Sequence, residues 1–426
     1  MPRKVGGNMG QRRERKIADA LTTSDLWQLA SERIPPIAFE YFRGAADTES
    51  TSRGNVIAFQ QTMTTAFGAL KFDSIDTSVT TLGFEMDVPW YISPVGSLST
   101  LSPSGEAVAS QVAGEFGTVM ALSTLSGTPM EEVTAASSGD NWFQLYLVGG
   151  RETALRTIAR AKAAGFGALM LTIDTGVSGS RAVHARMKPM EVTESFSGKS
   201  LSGKATLAAR RLKVGPQFVT RLDFLRQYYA SGGMMEFVNV IDEDGNPMPY
   251  TDIGTQLGES AVTWDDISWI REAWGDKPLI VKGVHCAQDA RRAEELGASA
   301  VVWSNHGGRQ QDRVPPALHM VEQEMPLVGN SEMDFYMDGG IRCGTDVLVA
   351  LSHGVKAVGL GRVTAAGLGA GGHSGLTRAF EILQAEFDRA MRLVGVQSIE
   401  EIHERGAALR RDSLLVGDHH LPEFVF

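Results

Sequence analysis

One short string of the sequence combines two residue types that suit acid–base chemistry on a carboxylate. It runs Ser304-Asn305-His306-Gly307-Gly308-Arg309-Gln310-Gln311-Asp312 and follows the apolar run Ala300–Trp303. An imidazole can act as a general base, and a guanidinium can bind a carboxylate through paired hydrogen bonds. Because both groups follow an apolar strand directly, the string predicts an active site at the end of that strand.

The strands that would position this chemistry recur along the chain from residue 88 onward. Short apolar runs alternate there with amphipathic segments, a pattern that indicates parallel βα units. Eight such units predict an α/β protein built as a closed (β/α)8 TIM barrel. The predicted strands are Val88–Ile92, Thr118–Leu122, Trp142–Leu147, Ala168–Ile173, Pro278–Val281, Ala300–Trp303, Asp334–Met337 and Ala357–Leu360.

Nearly every predicted strand ends in a polar or glycine-rich segment. In a (β/α)8 barrel the active site lies at the carboxyl ends of the strands, so we expect these segments to meet. They are Pro94-Val95-Gly96, Ser123, Gln144 with Tyr146, Thr172 with Asp174, Lys282, Ser304 with His306, Asp338-Gly339-Gly340, and Gly361-Arg362.

The last two strands end in strings that suit a phosphate group, Asp338-Gly339-Gly340-Ile341-Arg342 and Gly359-Leu360-Gly361-Arg362. Their glycines expose backbone N–H groups, and their arginines supply paired donors. Such strings also occur in tight turns without a ligand. Their place at strands seven and eight of a barrel favours phosphate binding.

Lys282 ends an otherwise apolar strand. A buried ammonium needs an anionic partner, because an isolated charge in a low dielectric is costly. A cofactor that becomes anionic during the reaction would supply one, and a structural salt bridge is the alternative.

The segments divide the chain into five parts. Residues 1–17 are basic and glycine-containing and are predicted to be a disordered tail, and residues 18–87 a helical extension. The barrel is predicted over 88–405, with a C-terminal tail over 406–426. Residues 175–277 are far longer than an ordinary βα loop, which indicates an insertion over the catalytic face. We interpret it as an active-site lid; surface decoration and a membrane-contacting loop are the alternatives, and membrane contact is not favoured.

The bulk composition favours a small-molecule enzyme. Forty basic and fifty acidic residues give a net charge of −10, which argues against a nucleic-acid-binding surface. The two cysteines, Cys286 and Cys343, lie in no disulfide or zinc spacing, and no metal site is predicted. Without an apolar targeting segment or a run long enough to span a membrane, a cytoplasmic location is expected.

These strings resemble those of the FMN-dependent 2-hydroxy acid oxidases and dehydrogenases, a family that includes glycolate oxidase, lactate oxidase, lactate monooxygenase and mandelate dehydrogenase. The resemblance covers roughly residues 25–405. It rests on three strings that occur in the family's order: Phe143-Gln144-Leu145-Tyr146, the string from Ser304 to Asp312, and the string from Asp338 to Asp346.

The resemblance implies FMN as the cofactor. Lys282 would lie beside the flavin N1 and O2 edge, where it would stabilise the negative charge of the reduced ring. The isoalloxazine ring would contact the segment of Pro94, Val95 and Gly96 and bind Ser123, Gln144, Thr172 and Ser304. The ribityl phosphate would bind Asp338, Gly340, Arg342, Gly361 and Arg362.

The resemblance also implies the catalytic set. His306 would be the base, and Asp174 would hold its imidazole and stabilise the protonated form. Arg309 and Arg181 would bind the substrate carboxylate. Tyr146 would hydrogen-bond the substrate hydroxyl, and Tyr41 would lie near the carboxylate, with core packing as its alternative role.

Three positions depart from the pattern of the small-acid oxidases. Gly96 stands where many have alanine, Thr124-Leu125 where the family often has Ser-Trp, and Gly176 where a proline is common. The first two changes predict a wider pocket than glycolate needs. They affect the substrate rather than the chemistry.

The expected reaction is oxidation of an (S)-2-hydroxy acid to the 2-keto acid, with oxygen or another acceptor reoxidising the flavin. Oxidative decarboxylation, as in lactate monooxygenase, is one alternative. A related FMN barrel acting on a different substrate, such as an isopentenyl diphosphate isomerase or a peptide-modifying oxidase, is another, and a non-catalytic flavin-binding protein is a third. The resemblance implies a homotetramer or larger assembly.

Overall fold

The predicted barrel is present. In the computed structural model, which describes residues 6–187, 201–230, 233, 235–248 and 261–412, eight parallel strands close in the order β5-β6-β7-β8-β1-β2-β3-β4. This confirms the predicted fold class. The strands are β1 Trp90–Ile92, β2 Met120–Ser123, β3 Asn141–Leu145, β4 Ala168–Thr172, β5 Leu279–Val284, β6 Ala300–Trp303, β7 Asp334–Asp338 and β8 Ala357–Leu360.

The predicted strand bounds hold to within a few residues, and the largest difference falls on β5. The sequence predicted its end at Val281, whereas the strand continues to Val284. Its pairing with β6 shifts register between Lys282 and Val284, around Gly283 at φ +95°. Glycine adopts this backbone conformation without steric cost, so the strand bends there without ending. Lys282 therefore lies inside the strand.

Helices surround the barrel. The pairs α13/α14 and α15/α17 pack against one another outside the strands. The helices are α1 Gly6–Ala18, α2 Thr23–Arg33, α3 Pro36–Arg43, α4 Ser50–Gln61, α5 Gly105–Glu115, α6 Met130–Ala135, α7 Gly150–Ala163, α8 Ala182–Met187, α9 Leu201–Val214, α10 Pro216–Val219, α11 Leu222–Ala230, α12 Trp264–Trp274, α13 Ala287–Glu295, α14 Ala317–Val328, α15 Gly344–Ser352, α16 Arg362–Gly371, α17 His373–Val394 and α18 Ile399–Arg405.

The N-terminal extension is helical, as predicted, but its first helix begins before residue 18, where the extension was predicted to start. Residues 6–17 belong to α1, whereas the sequence analysis expected a disordered tail over 1–17; residues 1–5 of that tail lie outside the described part of the chain. Ile17 is buried, and its side chain packs against Gly371 of α16. This apolar anchor orders a segment whose basic composition favoured disorder. Helix α2 then begins with a capping box formed by Thr22 and Asp25.

The extension reaches both ends of the barrel. The antiparallel strands Val79–Thr81 and Phe84–Met86 pack against buried aromatic residues of the barrel interior, including Tyr91, Trp142 and Tyr336. Helices α3 and α4 instead lie at the catalytic end, where α4 contacts the short helix His306–Gly308. The extension therefore contributes both to the core and to the rim of the site.

The segment between β4 and β5 contains more than an insertion. Its last helix, α12, packs against α7 as the outer helix of the fourth βα unit. The extra chain thus precedes Thr263, and it includes helices α8 to α11 and a hairpin of Phe237–Ile241 with Pro247–Met248. None of the helices in the described ranges is long and apolar enough to cross a membrane.

Candidate active site

Most of the predicted site residues line one cavity at the carboxyl ends of the strands. Those in the lining are Tyr41, Pro94, Val95, Gly96, Ser123, Tyr146, Arg181, Lys282, His306, Arg309, Asp338, Gly340, Arg342, Gly361 and Arg362. The other four lie beside lining residues and are joined to them by hydrogen bonds or strand pairing; they are Gln144, Thr172, Asp174 and Ser304.

His306 and Asp174 form a pair at the edge of this cavity. The His306 Nδ1 atom lies 3.2 Å and 3.3 Å from the two carboxylate oxygens of Asp174. The imidazole is 22% exposed and the carboxylate only 5%. Burial alone would raise the pKa of Asp174, but the nearby His306, Lys282 and His285 outweigh it and hold that pKa below its ordinary value. Asp174 is therefore an anion beside a partly exposed imidazole.

The backbone at two positions makes this pair possible. His306 has φ +58°, and its N–H donates to Ser304 Oγ at 3.1 Å. A Cβ atom at Gly283 would lie 2.6 Å from Asp174 Cγ, so glycine is required where β5 passes the carboxylate. Sequence reasoning missed Gly283, although its place directly after Lys282 on a strand was a usable signal.

Lys282 takes part in a buried polar network under the cavity. Its Nζ atom lies 3.0 Å from Asp338 Oδ2 and donates to Ser304 Oγ at 2.7 Å. Asp338 also accepts hydrogen bonds from Ser304 at 2.5 Å and from Ser93 at 3.1 Å. The sequence left two partners open for this lysine, an anionic cofactor and a structural salt bridge. The structure contains the salt bridge, which Lys282 forms with Asp338. Lys282 nonetheless remains in the lining of the cavity.

Two buried polar atoms beneath the cavity have no hydrogen-bond partner among the described residues. They are Gln144 Nε2 and Thr172 Oγ1. Gln144 Oε1 accepts from Ser123 Oγ at 3.1 Å, which leaves the amide NH2 available. Buried polar groups are normally satisfied, and an exception calls for a ligand or water. A heterocycle with both donors and acceptors at its edge would satisfy this pair.

Two guanidinium groups share the ring of Tyr41. The Cζ atoms of Arg309 and Arg181 lie 5.2 Å and 5.3 Å from the ring centroid. Burial and the charge of Arg181 lower the pKa of Arg309 to about 9. Within the described residues, neither arginine forms an ion pair with an aspartate or glutamate. Two cations without a carboxylate form a binding site for a carboxylate ligand.

Arg309 and Arg362 also hold the C-terminal end of α3. Arg309 Nη1 donates to the carbonyl oxygens of Tyr41 at 2.7 Å and Gly44 at 2.9 Å. Arg362 donates to the carbonyls of Phe42 at 3.4 Å and Arg43 at 3.3 Å. Carbonyl groups at a helix C-terminus lack intrahelical partners, so these contacts complete the helix end.

The predicted phosphate site concentrates positive charge. Burial and the charge of Arg342 lower the pKa of Arg362 to about 9, and burial lowers the pKa of Arg342 to about 10. Gly340 has φ +96°, and a Cβ there would lie 2.3 Å from the Asn55 carbonyl oxygen. Gly340 thus lets the backbone after β7 approach helix α4 of the extension. The guanidinium groups of Arg342 and Arg362 carry the positive charge that a phosphate would neutralise.

Tyr146 and Leu125 form an apolar wall of the cavity. Tyr146 is 9% exposed, and its backbone N–H donates to Thr124 Oγ1 at 3.0 Å. Burial, reinforced by Asp174, raises the pKa of the Tyr146 phenol well above its ordinary value, so it is a hydrogen-bond donor. The insertion hairpin packs behind this wall through Phe237 and Val240.

Sequence reasoning also missed a reciprocal amide pair. Asn55 Nδ2 donates to Asn305 Oδ1 at 2.8 Å, and Asn305 Nδ2 donates to Asn55 Oδ1 at 2.8 Å. Both side chains are buried and join α4 to the loop of His306. Asn305 lay inside the string that opened the sequence analysis, but its partner, 250 residues away, had no local signal.

The profile of one protein family, described as FMN-dependent dehydrogenase, matches residues 30–409. The chain belongs to the FMN-dependent dehydrogenase family. It is therefore an FMN-dependent oxidoreductase of the group that acts on CH–OH donors. The matched range contains the cavity lining in full, and it confirms the resemblance drawn from the strings of β3, β6 and β7.

Individual members of the family differ in name. A peroxisomal (S)-2-hydroxy-acid oxidase of Oryza sativa subsp. japonica is 30% identical over 88% of this chain and 92% of its own. Pre-mycofactocin synthase of Mycobacterium tuberculosis is 32% identical over 88% of this chain and 91% of its own. The structure of (S)-mandelate dehydrogenase, a monotopic membrane protein, is 26% identical with a TM-score of 0.78, over 92% of this chain and 100% of that one.

Proposed function

We propose that this FMN-dependent dehydrogenase oxidises an (S)-2-hydroxy acid to the 2-keto acid, with His306 as the base. One observation carries the proposal. The His306–Asp174 pair and the two guanidinium groups of Arg309 and Arg181 meet at a single cavity. A base and a carboxylate site that line the same cavity suit a substrate whose reacting carbon is bonded directly to its carboxylate.

The polar atoms of the cavity fit FMN. The unpartnered Gln144 Nε2 and Thr172 Oγ1 suit the carbonyl and ring-nitrogen edge of the isoalloxazine, with Ser123 beside them. Arg342 and Arg362 suit the phosphate. The remaining proposed contacts are Pro94, Val95, Gly96, Lys282, Ser304, Asp338, Gly340 and Gly361.

Lys282 has a defined task in this arrangement. It is paired with Asp338, and its place in the lining puts a positive charge next to the ligand. Bound FMN would supply an acceptor for two electrons from the substrate α-carbon. Lys282 would stabilise the negative charge that this acceptor gains.

The proton is taken up by His306. Because Nδ1 faces the Asp174 carboxylate, Nδ1 carries the hydrogen and Nε2 is left to accept the substrate proton. The anionic Asp174 then stabilises the imidazolium. Tyr146 orients the substrate hydroxyl by hydrogen bonding. Arg309 and Arg181 bind the carboxylate over Tyr41.

The side-chain pocket suits a substrate larger than glycolate. At Gly96, an added Cβ would lie 3.2 Å from the Leu125 carbonyl oxygen and 3.3 Å from the Tyr41 hydroxyl. The missing methyl therefore leaves space between the wall and the tyrosine. Leu125 also has less bulk than the tryptophan expected there. We propose an aromatic or long aliphatic 2-hydroxy acid.

The assembly, location and electron acceptor are also proposals. We propose a homotetramer or larger, which light scattering would test against the chain mass of 45.9 kDa. The named relatives include a peroxisomal enzyme and a monotopic membrane protein, so the cytoplasmic location remains a prediction that cell fractionation tests. Oxygen is the simplest acceptor, and hydrogen peroxide formation tests it.

A second candidate is oxidation of something other than a free hydroxy acid. The observation that favours it is the 32% identity to pre-mycofactocin synthase, which is similar to that of the hydroxy acid oxidase. The arginine pair over Tyr41 argues against it, because a substrate without a free carboxylate leaves both guanidinium groups without a counter-ion from the described residues.

Product analysis separates the two candidates. The purified holoenzyme is incubated with lactate, mandelate, phenyllactate and longer (S)-2-hydroxy acids, and the 2-keto acid is quantified. We expect turnover of at least one acid and loss of turnover in His306→Ala with FMN content unchanged. If none of these acids is turned over, the result favours the second candidate function.

A further inference from the structure

Asp312 ends the string that begins at Ser304, and the reaction described above gives it no role. Its carboxylate accepts hydrogen bonds from the backbone N–H of Thr48 at 3.0 Å and of Thr51 at 2.9 Å. It also accepts from the hydroxyls of Ser50, at 2.6 Å, and Thr48. Burial alone raises the pKa of Asp312, but these bonds outweigh it and keep the pKa far below its ordinary value.

These bonds cap helix α4 from a distant part of the chain. The residue before α4, Glu49, has φ +61° and gives no side-chain cap. The first N–H groups of a helix need outside acceptors, and a negative charge there is favourable to the helix dipole. Asp312 supplies both, across more than 260 residues of sequence.

Three segments meet at this cap, and we call them together the junction: residues 46–51, 179–180 and 308–312. Ala46 N–H donates to the Gly308 carbonyl at 2.8 Å, and Asp47 N–H to the Ser180 carbonyl at 2.9 Å. Gly179 N–H donates to Gln310 Oε1 at 3.0 Å. The junction thus ties the extension, the start of the insertion and the loop of the base to one another.

Each junction segment adjoins one residue of the proposed carboxylate site. Tyr41 precedes the first, Arg181 follows the second and Arg309 lies within the third. Both guanidinium groups lie over the Tyr41 ring, although Arg181 disfavours the charged form of Arg309. Two like charges at one ring repel until an anion binds, so other contacts must hold them in place.

The backbone at the junction is strained, which also requires outside support. Asp47, Glu49, His306 and Arg313 all have positive φ without being glycine. Such conformations are unfavourable for residues with a side chain and persist where surrounding contacts fix them. Asp312 bonds to residues beside two of these positions, Asp47 and Glu49, and it directly precedes a third, Arg313.

We propose that Asp312 is a positioning residue for the substrate carboxylate. By capping α4 it fixes the junction, and the junction fixes Tyr41, Arg181 and Arg309 relative to His306. Asp312 itself does not line the cavity. This inference rests on the proposed function, because it assigns a cause to the geometry of that same site.

The test is Asp312→Asn in the FMN-loaded full-length enzyme. The substitution preserves size but places an NH2 group against the donors of Thr48, Ser50 and Thr51. We expect KM for the best hydroxy acid and the Kd for oxalate, which has carboxylates and no side chain, to rise by roughly tenfold. We expect kcat to stay within about threefold and FMN content to be unchanged.

A matched control separates positioning from stability. Asp266, the third residue of α12, closes a local capping box on the outer ring of the barrel, where it accepts from the Thr263 N–H at 2.8 Å and the Thr263 hydroxyl at 2.7 Å. Asp266→Asn should lower the melting temperature without changing KM or oxalate binding. Ser50→Ala removes only one hydrogen bond to Asp312 and is the alternative variant if Asp312→Asn does not fold. It should raise KM and the Kd for oxalate about two- to threefold.

The outcomes distinguish the two claims. An active parent enzyme whose Asp312→Asn or Ser50→Ala variant has the parent's KM and oxalate Kd overturns the positioning role and leaves the proposed function standing. Equal changes in Asp266→Asn also overturn it, because they would reflect lost stability. A parent enzyme that neither oxidises hydroxy acids nor binds oxalate overturns both claims.

Discussion

At the scale of single residues, the chemistry depends on how each charge is compensated. Asp174 is buried, yet the positive groups around it keep it ionised, and His306 lies within hydrogen-bonding distance of it. Lys282 is matched by Asp338. In the described part of the chain, the two arginines over Tyr41 have no carboxylate partner, and this difference supports the proposal that they bind the substrate carboxylate.

Asp174→Asn tests the compensation of the base. The amide keeps the size of the side chain but removes the charge that stabilises the imidazolium, so flavin reduction by the best hydroxy acid should slow by about 10²- to 10⁴-fold. Rapid-mixing absorbance of the flavin measures this rate. FMN content and melting temperature serve as controls. A rate within a few-fold of the parent would contradict the role of Asp174.

Gly96→Ala tests the width of the pocket. The new methyl would lie 3.2–3.3 Å from Leu125 and the Tyr41 hydroxyl, so it takes space from the substrate side chain. The value of kcat/KM for aromatic acids should fall at least tenfold or so relative to that for lactate. Competition assays with mandelate and lactate give this ratio directly. An unchanged ratio would place the side chain elsewhere.

At the scale of elements, the sequence predicted the barrel well because apolar strands and glycine helix ends repeat locally. It could not predict contacts between distant segments. The order of α1 depends on Ile17 packing near Gly371, and the Asn55–Asn305 pair and the Asp312 cap each join residues at least 250 positions apart. Such contacts follow from the closed fold and leave no local pattern.

The candidate site likewise contains residues that the sequence predicted and contacts that it did not predict. Residues at or directly after a strand end, such as Ser123 and His306, line the cavity as the sequence predicted, because every strand end points to one face of the barrel. The sequence did not predict that Arg309 and Arg362 donate hydrogen bonds to the carbonyl groups at the C-terminal end of α3. The extension that carries α3 has no repeating relation to the strands, so its docking could not be read from spacing.

The insertion hairpin gives a prediction at this scale. Asn239 is fully buried and bonds to Ser126 Oγ at 2.5 Å, the Thr128 carbonyl at 2.9 Å and the Met130 N–H at 2.9 Å. Asn239→Ala leaves these partners unsatisfied and should lower the free energy of unfolding by about 1–3 kcal/mol. Urea unfolding measures it. Asn246→Ala, at the exposed turn of the same hairpin, should change it by less than about 0.5 kcal/mol.

At the scale of the whole molecule, the two ends of the barrel have different tasks. The titratable groups of the proposed reaction lie at the carboxyl ends of the strands, and the hairpin of Val79–Thr81 with Phe84–Met86 packs on the interior from the other end. In this architecture the first end supports catalysis and the second supports stability. A change at the second end should therefore affect unfolding more than turnover.

His353, between α15 and β8, tests this division. Burial, together with Arg410 and His319, lowers its pKa from 6.5 to about 3. Between these values the unfolded chain binds the proton and the folded chain does not, so stability falls as pH decreases from about 6.5 towards 3. His353→Leu should reduce the loss of unfolding free energy between about pH 7 and pH 5, measured by urea unfolding. A pH dependence equal to the parent's would contradict this assignment; His373→Gln, at an exposed histidine, is the control.

The most direct test of the central claim is the absorbance of the bound flavin under anaerobic conditions during titration with lactate, mandelate, phenyllactate and longer (S)-2-hydroxy acids. The account predicts that at least one of them, with an aromatic or long aliphatic side chain, bleaches the oxidised band in the parent enzyme and fails to do so in His306→Ala. If no acid bleaches a flavin that dithionite still reduces, the assignment of a 2-hydroxy acid substrate is wrong.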